Sequence, residues 1–112
     1  MKIFITGVAG FLGSHLADLM ISQGHKVAGN DNMIGGYTDN VPQDVEFHQV
    51  DCCDLENLTK AMEGCDIVYH TAATAYEGLS VFSPVLVTRN IFEASVTTIT
   101  AAIRNKVKRI VY

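Results

Sequence analysis

The sequence predicts an α/β protein whose parallel sheet carries helices on its faces. Short apolar segments rich in β-branched residues alternate with segments of helical period, which is the order typical of parallel α/β sheets. A glycine-rich turn follows the first apolar segment and opens the first helix. The length of 112 residues fits one domain, residues 1–112, and leaves no room for a second of ordinary size.

Five segments are predicted as strands, because each is short and either apolar or alternating in hydropathy. They lie at residues 2–6, 25–30, 45–50, 66–70 and 109–112. The sequence ends just as the last of them opens. We therefore expect a sheet of about five strands that is truncated after the fifth.

Two of the predicted helices follow the first and the third strands. The first covers residues 11–23 and ends at Gly24, because glycine readily closes a helix. Its apolar side chains recur at helical spacing and are expected to face the sheet: Leu12, Leu16, Leu19 and Met20. The second is a short helix that Asp54 caps at its start. Residues 32–44 and 71–82 are predicted as loops.

The third predicted helix is long and mostly apolar. It runs from Ser83, the N-cap, through Pro84 at the first helical position to about Asn105. Its main apolar stripe consists of Phe92, Val96, Ile99 and Ile103, and further apolar residues extend onto a second face. Such a helix is expected to be buried on two sides, either inside a larger domain or at a subunit interface. We favour the interface, because the chain has few other elements that could cover the helix.

The composition excludes several classes of function. The formal net charge of −4 argues against binding to a nucleic-acid backbone, because such domains usually carry a positive excess. No segment approaches the ~20 apolar residues of a membrane span, so no membrane partner is expected. The three cysteines lack disulfide or metal-ligand spacing, and the histidines are not clustered. We therefore expect reduced thiols, a cytoplasmic location and no metal site.

A glycine-rich turn carries the first chemical signal. Gly7, Gly10 and Gly13 form a G-x-x-G-x-x-G pattern between the first strand and the first helix. Glycine at these places permits a tight turn, a close approach of the backbone to a pyrophosphate, and close packing of helix on strand. The helix then directs free N–H groups and the positive end of its dipole toward the phosphates. The pattern in this context predicts a dinucleotide site.

Asp31 follows the second strand, 18 residues beyond Gly13. The dinucleotide fingerprint has an acid about 20 residues after its glycines, where it accepts hydrogen bonds from the adenosine ribose hydroxyls. A carboxylate there repels a 2′-phosphate, so NAD is preferred over NADP as the cofactor. The alternative is that Asp31 only starts the following loop.

Four motifs, taken in order, resemble those of a known family. They are the glycine turn at residues 6–15, Asp31-Asn32, Asp51 after the third strand, and residues 70–73 after the fourth. Together they resemble the extended short-chain dehydrogenase/reductases, and among these the nucleotide-sugar epimerases and dehydratases. The resemblance implies a Rossmann-type doubly wound parallel sheet, NAD as cofactor, and a nucleotide sugar as the substrate of the full-length enzyme.

The resemblance also implies a cofactor site, residue by residue. The residues that match the pyrophosphate turn are Gly7, Gly10, Phe11, Leu12 and Gly13. The ribose-binding pair is Asp31 and Asn32, and the loop that passes the adenosine contains Gly35 and Gly36. The adenine amino group is received by Asp51, and the ring edge faces the backbone of Cys52. The turn along the nicotinamide half consists of Thr71, Ala72 and Ala73.

Asn90 matches the helix asparagine of the family's N-[VI]-x-G-T stretch, although Glu93 and Ala94 replace the Gly-Thr. Ordinary structural roles remain open for some of these residues. Either Asp51 or Asp54 could cap the following helix, and we expect Asp54 and not Asp51 to do so. Asn90 could be a buried amide whose hydrogen bonds are satisfied within the protein.

The acid/base residues of the resembled family are missing from these 112 residues. That family uses a Tyr with a Lys four residues later, and no Tyr-x-x-x-Lys occurs here, so no catalytic residue is assigned. We expect the NAD-binding half of a nucleotide-sugar epimerase/dehydratase, inactive alone. The alternatives are a free-standing dinucleotide-binding or sensing module, and a fragment whose turn never holds a cofactor. We also expect a homo-oligomer that forms through the helix at residues 83–105, the edge strand at residues 109–112, or both.

Overall fold

A computed structural model describes residues 1–112 and contains one parallel sheet with helices on both faces. Its strands are β1 (Lys2–Thr6), β2 (Lys26–Asn30), β3 (Val45–His48), β4 (Ile67–His70) and β5 (Arg109–Val111). The strand order is β3-β2-β1-β4-β5, and every pairing is parallel. The chain therefore winds from the centre to one edge, and then returns to the other side of β1. This confirms the predicted Rossmann-type, doubly wound sheet.

Helices follow the strands along the chain. They are α1 (Phe11–Ser22), α2 (Leu55–Ala61), α3 (Leu79–Phe82), α4 (Pro84–Thr88) and α5 (Ala94–Arg104). A π-helical turn, Arg89–Glu93, joins α4 to α5, and a 3-10 turn, Thr38–Asn40, lies between β2 and β3. Two predictions need correction as a result. The segment predicted as a loop after β4 contains α3, and the helix predicted over residues 83–105 is interrupted by the π-helical turn.

The side chains of β1 alternate between two hydrophobic cores. Ile3 and Ile5 pack against α1 on one face of the sheet. Phe4 packs on the other face, in a cluster that includes Leu58 of α2 and Ala101 of α5. All three of these β1 side chains are fully buried. β1 is buried on both faces because it is the central strand of the sheet. The strand order reverses between β1 and β4.

The buried face of α1 differs from the predicted one. Leu12 and Leu19, which are predicted to face the sheet, are 62% and 50% exposed. Gly13 and Ala17 are buried in their place. The reason is steric, because α1 lies so close to the end of β1 that a Cβ at Gly13 would overlap the carbonyl oxygen of Gly7. Only glycine fits at this point, so the neighbouring Leu12 lies outside the contact, whereas Leu16 and Met20 further along α1 pack into the core.

The large apolar side chains of the last helical segment are also placed differently. The residues of α5 that are buried are small or polar: Ala94, Ser95, Thr98, Ala101 and Ala102. The predicted stripe is exposed within this chain, from 42% at Ile99 to 71% at Ile103. This chain therefore buries the helix on one side only, and the side that packs against α2 carries small side chains such as Ala101 and Ala102.

The two predicted helix caps have different outcomes. Asp54 caps α2 as predicted, since its Oδ1 accepts a hydrogen bond from the N–H of Asn57 at 3.2 Å. Ser83 precedes α4 and is followed by Pro84, but its side chain makes no capping hydrogen bond. The start of α4 therefore depends on Pro84, whose fixed φ favours the first helical position.

Candidate functional site

A cleft of about 490 Å³ lies at the carboxyl ends of β1, β2 and β4, beside the first turn of α1. The strand order reverses here, which is the usual position for ligands in open parallel sheets. Every residue that the sequence assigns to the cofactor site lines this one cleft. The structure thus brings together segments that are spread from Gly7 to Asn90. Their contacts with a cofactor stay a prediction.

Six other residues line the cleft and are not assigned from the sequence: Asn30, Ile34, Thr74, Ala75, Tyr76 and Ala94. Most of them could have been identified because they are close in sequence to residues assigned to the site. Asn30 precedes Asp31, for example, and Thr74 follows Ala73. Ala94 lies four residues after Asn90, where the resembled family has the Thr of its N-[VI]-x-G-T stretch, and that place in the motif is the signal that could have identified it.

The glycine turn after β1 is held between the ends of β2 and β4. The backbone N–H groups of Gly7 and Val8 both donate to the carbonyl oxygen of Asn30, at 2.8 and 3.1 Å. Gly7 has a φ of 71°, and a Cβ there would lie 2.8 Å from the Cα of Ala72. Glycine is therefore required at this position, both for the backbone conformation and for the contact with the turn after β4.

The first turn of α1 offers three backbone donors to the cleft. The N–H groups of Phe11, Leu12 and Gly13 have no acceptor within the protein, and the N-cap residue Gly10 has no side chain to supply one. The side chains of Phe11 and Leu12 are exposed beside them. Unpaired donors at the positive end of a helix dipole form a site for phosphate. These residues therefore fit the pyrophosphate of a dinucleotide.

The carboxylate of Asp31 is buried and fixed by two backbone hydrogen bonds. Its Oδ2 accepts from the N–H of Ala9 at 3.1 Å, and its Oδ1 accepts from the N–H of Met33 at 2.9 Å. The second bond shows that Asp31 also shapes the following loop. Because a carboxylate can accept about four hydrogen bonds, each oxygen of Asp31 keeps a free lone pair for a ribose hydroxyl.

Asp51 follows β3 and lines the cleft without capping α2. Its Oδ1 accepts from the N–H of Cys53 at 2.8 Å. Its Oδ2 accepts from Nδ2 of Asn32 at 3.3 Å and from Nη1 of Arg89 at 3.4 Å. Burial raises the pKa of Asp51, but these hydrogen bonds and the charge of Arg89 outweigh it and hold the pKa below its ordinary value. Asp51 is therefore ionised at neutral pH.

The two cysteines that follow Asp51 are protonated at neutral pH. Burial raises the pKa of Cys52. Burial and the nearby charge of Asp51 raise the pKa of Cys53 to about 11. Since the thiolate is the reactive form of cysteine, neither residue supplies a nucleophile to the cleft.

A chain of hydrogen bonds beside the cleft fixes the tautomer of His70. The hydroxyl oxygen of Thr6 accepts from the N–H groups of Thr71 and Ala72, at 3.1 and 3.2 Å. Both lone pairs of that oxygen are then occupied, so its proton is donated to Nδ1 of His70, 2.7 Å away. The remaining ring proton lies on Nε2 of His70 and is donated to Oγ of Ser95 at 3.1 Å.

The same series of hydrogen bonds connects the turn after β4 to the π-helical turn. The hydroxyl of Ser95 donates to the carbonyl oxygen of Ile91. The neighbouring Asn90 donates from its Nδ2 to Oγ1 of Thr74 at 3.0 Å, and both residues line the cleft. Such π-helical turns inside α-helices occur frequently at functional sites. Here the interruption of the long helix carries Asn90, which the family resemblance assigns to the cofactor site.

Comparison with known proteins identifies the family to which this chain belongs. The model of the "NAD dependent epimerase/dehydratase family" matches residues 3–112, nearly the whole chain. The chain belongs to this family. The resemblance predicted from the glycine turn, Asp31 and the turn after β4 is thereby confirmed, and so is NAD as the cofactor of the family.

Individual relatives agree with the family match. The probable UDP-arabinose 4-epimerase 3 of Arabidopsis thaliana is 30% identical over 121 residues, which cover 98% of this chain and 29% of the relative. The UDP-glucose 4-epimerase of Thermus thermophilus, solved in complex with NAD, is 33% identical with a TM-score of 0.94, covering 100% of this chain and 37% of its own. The UDP-glucose 4-epimerase of Thermotoga maritima, solved with UDP-glucose, is 29% identical with a TM-score of 0.95. The match covers 98% of this chain and 36% of the Thermotoga maritima chain. This chain thus spans about a third of the length of these relatives.

Neither a membrane-spanning helix nor a metal-binding cluster occurs in the structure. None of its helices has the length and apolar character needed to cross a bilayer. No group of three or more His, Cys, Asp or Glu side chains is arranged to hold a metal ion.

The hydrogen-bond chain predicts that stability depends on the protonation state of His70. Burial lowers the pKa of His70, so the folded protein binds this proton less well than the unfolded chain does. The stability contribution is therefore full above the unfolded pKa of about 6.5 and decreases as the pH falls below it. We expect the free energy of unfolding to fall through this residue between about pH 7 and about pH 5.5.

Urea unfolding of the wild type and of His70→Gln at the two pH values measures this contribution. The difference between the two proteins separates His70 from every other titrating group, because all the others are shared. An identical pH dependence in the two proteins would contradict the assignment of a neutral His70.

Proposed function

We propose that this chain binds NAD in the cleft and acts as the cofactor half of a nucleotide-sugar epimerase/dehydratase. One observation carries the proposal: the unpaired N–H groups of Phe11, Leu12 and Gly13 and the fixed carboxylate of Asp31 line the same cleft. The amides suit two linked phosphates, and the carboxylate suits the ribose hydroxyls beside them. The NAD bound in the Thermus thermophilus relative supports the same cofactor.

The residues of the cleft match the successive parts of this cofactor. Asp31 and Asn32 would hold the adenosine ribose, and Asp51 would accept a hydrogen bond from the adenine amino group. The small side chains of Ala72 and Ala73 leave room for the nicotinamide half along the turn after β4. When bound, NAD supplies the site that accepts and returns a hydride. The residues of this chain bind and orient the cofactor, and none of them is assigned a proton transfer.

A nucleotide sugar is the proposed substrate of the enzyme to which this half contributes. The support comes from the relatives, which are described as UDP-arabinose and UDP-glucose 4-epimerases. These 112 residues alone are proposed to be inactive, because no Lys lies four residues after any Tyr to complete the acid/base pair. The residues four places after Tyr37, Tyr69 and Tyr76 are Val41, Ala73 and Ser80.

Calorimetric titration tests the binding of the cofactor. The wild type is expected to bind NAD, and to bind NADP more weakly, because Asp31 repels a 2′-phosphate. Asp31→Asn keeps the size of the side chain but removes its charge, so NAD should bind about tenfold more weakly and its advantage over NADP should shrink. Asp18→Asn is the matched control, since Asp18 is an exposed acid of α1 outside the cleft. If neither nucleotide bound to the wild type, the proposal would fail and the fragment alternative would stand.

The proposed inactivity has its own test. The purified chain is incubated with NAD and a panel of UDP-, GDP- and dTDP-sugars, and the products are separated chromatographically. No turnover is expected, because the chain has no Tyr-x-x-x-Lys pair to exchange a proton with a substrate. Measurable epimerisation or dehydration by the purified chain would refute this part of the proposal.

We further propose that two copies of the chain associate through the exposed stripe of the long helical segment. Phe92 and Ile103 are 69% and 71% exposed, and Val96 and Ile99 lie between them with more than two-fifths of their surface exposed. Charged residues are few in this segment, so a second copy placed by a two-fold axis would bury one stripe against the other. The unpaired edge of β5 offers the other route to self-association.

Light scattering at high protein concentration tests this association. The wild type should be dimeric, and Phe92→Glu should be monomeric because it introduces a charge into the apolar contact. Leu19→Glu, at a half-exposed leucine of α1, is the control and should remain dimeric. If Phe92→Glu remained dimeric, the interface would lie at the edge of β5. If the wild type were monomeric, both routes would be excluded.

A further inference from the structure

Arg89 is a charged residue in the cleft region that the proposed function does not use. It is the first residue of the π-helical turn, and its Nη1 lies 3.4 Å from both Oδ2 of Asp51 and Oδ1 of Asn90. Its backbone carbonyl oxygen accepts a hydrogen bond from Sγ of Cys53 at 3.4 Å. Both the side chain and the backbone of Arg89 therefore contact the segment that follows β3.

The acceptor capacity of Asp51 shows what this contact does. A carboxylate has about four lone-pair positions. Oδ1 of Asp51 receives one donor, the N–H of Cys53, and Oδ2 receives two, from Asn32 and Arg89. One lone pair is left, and it belongs to Oδ1.

Arg89 also restrains the orientation of that carboxylate. The bond from Cys53 holds only Oδ1, so the carboxylate can rotate unless Oδ2 is held as well. Asn32 holds Oδ2 through an uncharged amide at 3.3 Å, and the same side chain accepts from the N–H of Ile34 at 3.1 Å. Arg89 supplies the charged partner that Oδ2 otherwise lacks.

We propose that Arg89 is a positioning residue for base recognition, which holds Asp51 so that the free lone pair of Oδ1 accepts a hydrogen bond from the exocyclic amino group of adenine. This inference rests on the proposed binding of NAD in the cleft. It makes Arg89 a determinant of specificity for a base with an amino group over a base with a carbonyl oxygen at the same place. Arg89 acts through Asp51 and has no assigned contact with the cofactor.

The experiment compares two dinucleotides that differ at that edge of the base. They are NAD and nicotinamide hypoxanthine dinucleotide, in which a carbonyl oxygen replaces the amino group of adenine and the neighbouring ring nitrogen carries a proton. The affinities of both are measured by calorimetry for the wild type and for Arg89→Met, Arg89→Lys and Asp51→Asn. Arg104→Met is the control, because it removes the same charge from an exposed position of α5 that has no ion pair.

The wild type should prefer NAD, and Arg89→Met should reduce the ratio of the two affinities by about two- to five-fold, the range expected for a partly exposed ion pair. Most of this change should come from a weaker affinity for NAD, and little from the affinity for the hypoxanthine dinucleotide. Arg89→Lys should restore part of the preference, Asp51→Asn should reduce it at least as much as Arg89→Met, and Arg104→Met should leave it unchanged.

Two other results would overturn the inference in distinguishable ways. If the wild type binds NAD but Arg89→Met keeps the wild-type ratio, or weakens both dinucleotides equally, Arg89 has at most a structural role. If the wild type binds neither dinucleotide, the proposed function itself fails, and base recognition through Arg89 fails with it.

Discussion

The close packing of the first turn of α1 against the ends of β1 and β4 is the constraint on which the cleft depends. A Cβ at Gly13 would overlap the carbonyl oxygen of Gly7, and a Cβ at Gly7 would lie 2.8 Å from the Cα of Ala72. The N-cap residue is Gly10, where a Cβ would lie 3.3 Å from the same carbonyl oxygen of Gly7, so the helix starts without a capping side chain. Its first amides are therefore left without partners at the place where the strand order reverses. The proposed phosphate site is thus a consequence of how tightly the fold is closed.

The polar residues around this turn form a connected support and do not act singly. Thr6 holds the turn after β4 through two backbone N–H groups, and His70 extends that contact to Ser95 of α5. On the adenosine side, Asp31 holds the glycine turn through Ala9. The rigid elements of the sheet therefore fix both ends of the cleft before any cofactor binds. This preorganisation reduces the ordering cost of binding.

Much of the fold could be predicted from the sequence, because its signals are local. The glycine spacing, the acid after β2 and the alternation of strands and helices each depend on a few neighbouring residues. What the sequence did not reveal depends on tertiary contacts. The exposure of Leu12 follows from the closeness of α1 to β1, and the pairing of Arg89 with Asp51 joins residues 38 positions apart. The π-helical turn has no local signal, since Arg89–Glu93 continues a helical pattern that the sequence shows as unbroken.

The most direct test of the proposed cofactor site follows the backbone amide resonances of the chain during titration with NAD. If the pyrophosphate lies on the first turn of α1, the ¹H–¹⁵N signals of Phe11, Leu12 and Gly13 should shift together and saturate at the same NAD concentration. Amides on the far side of the sheet, such as that of Leu58 in α2, should stay in place. Saturable binding that leaves the three α1 signals unmoved would show that the phosphates lie elsewhere and would contradict the proposed site.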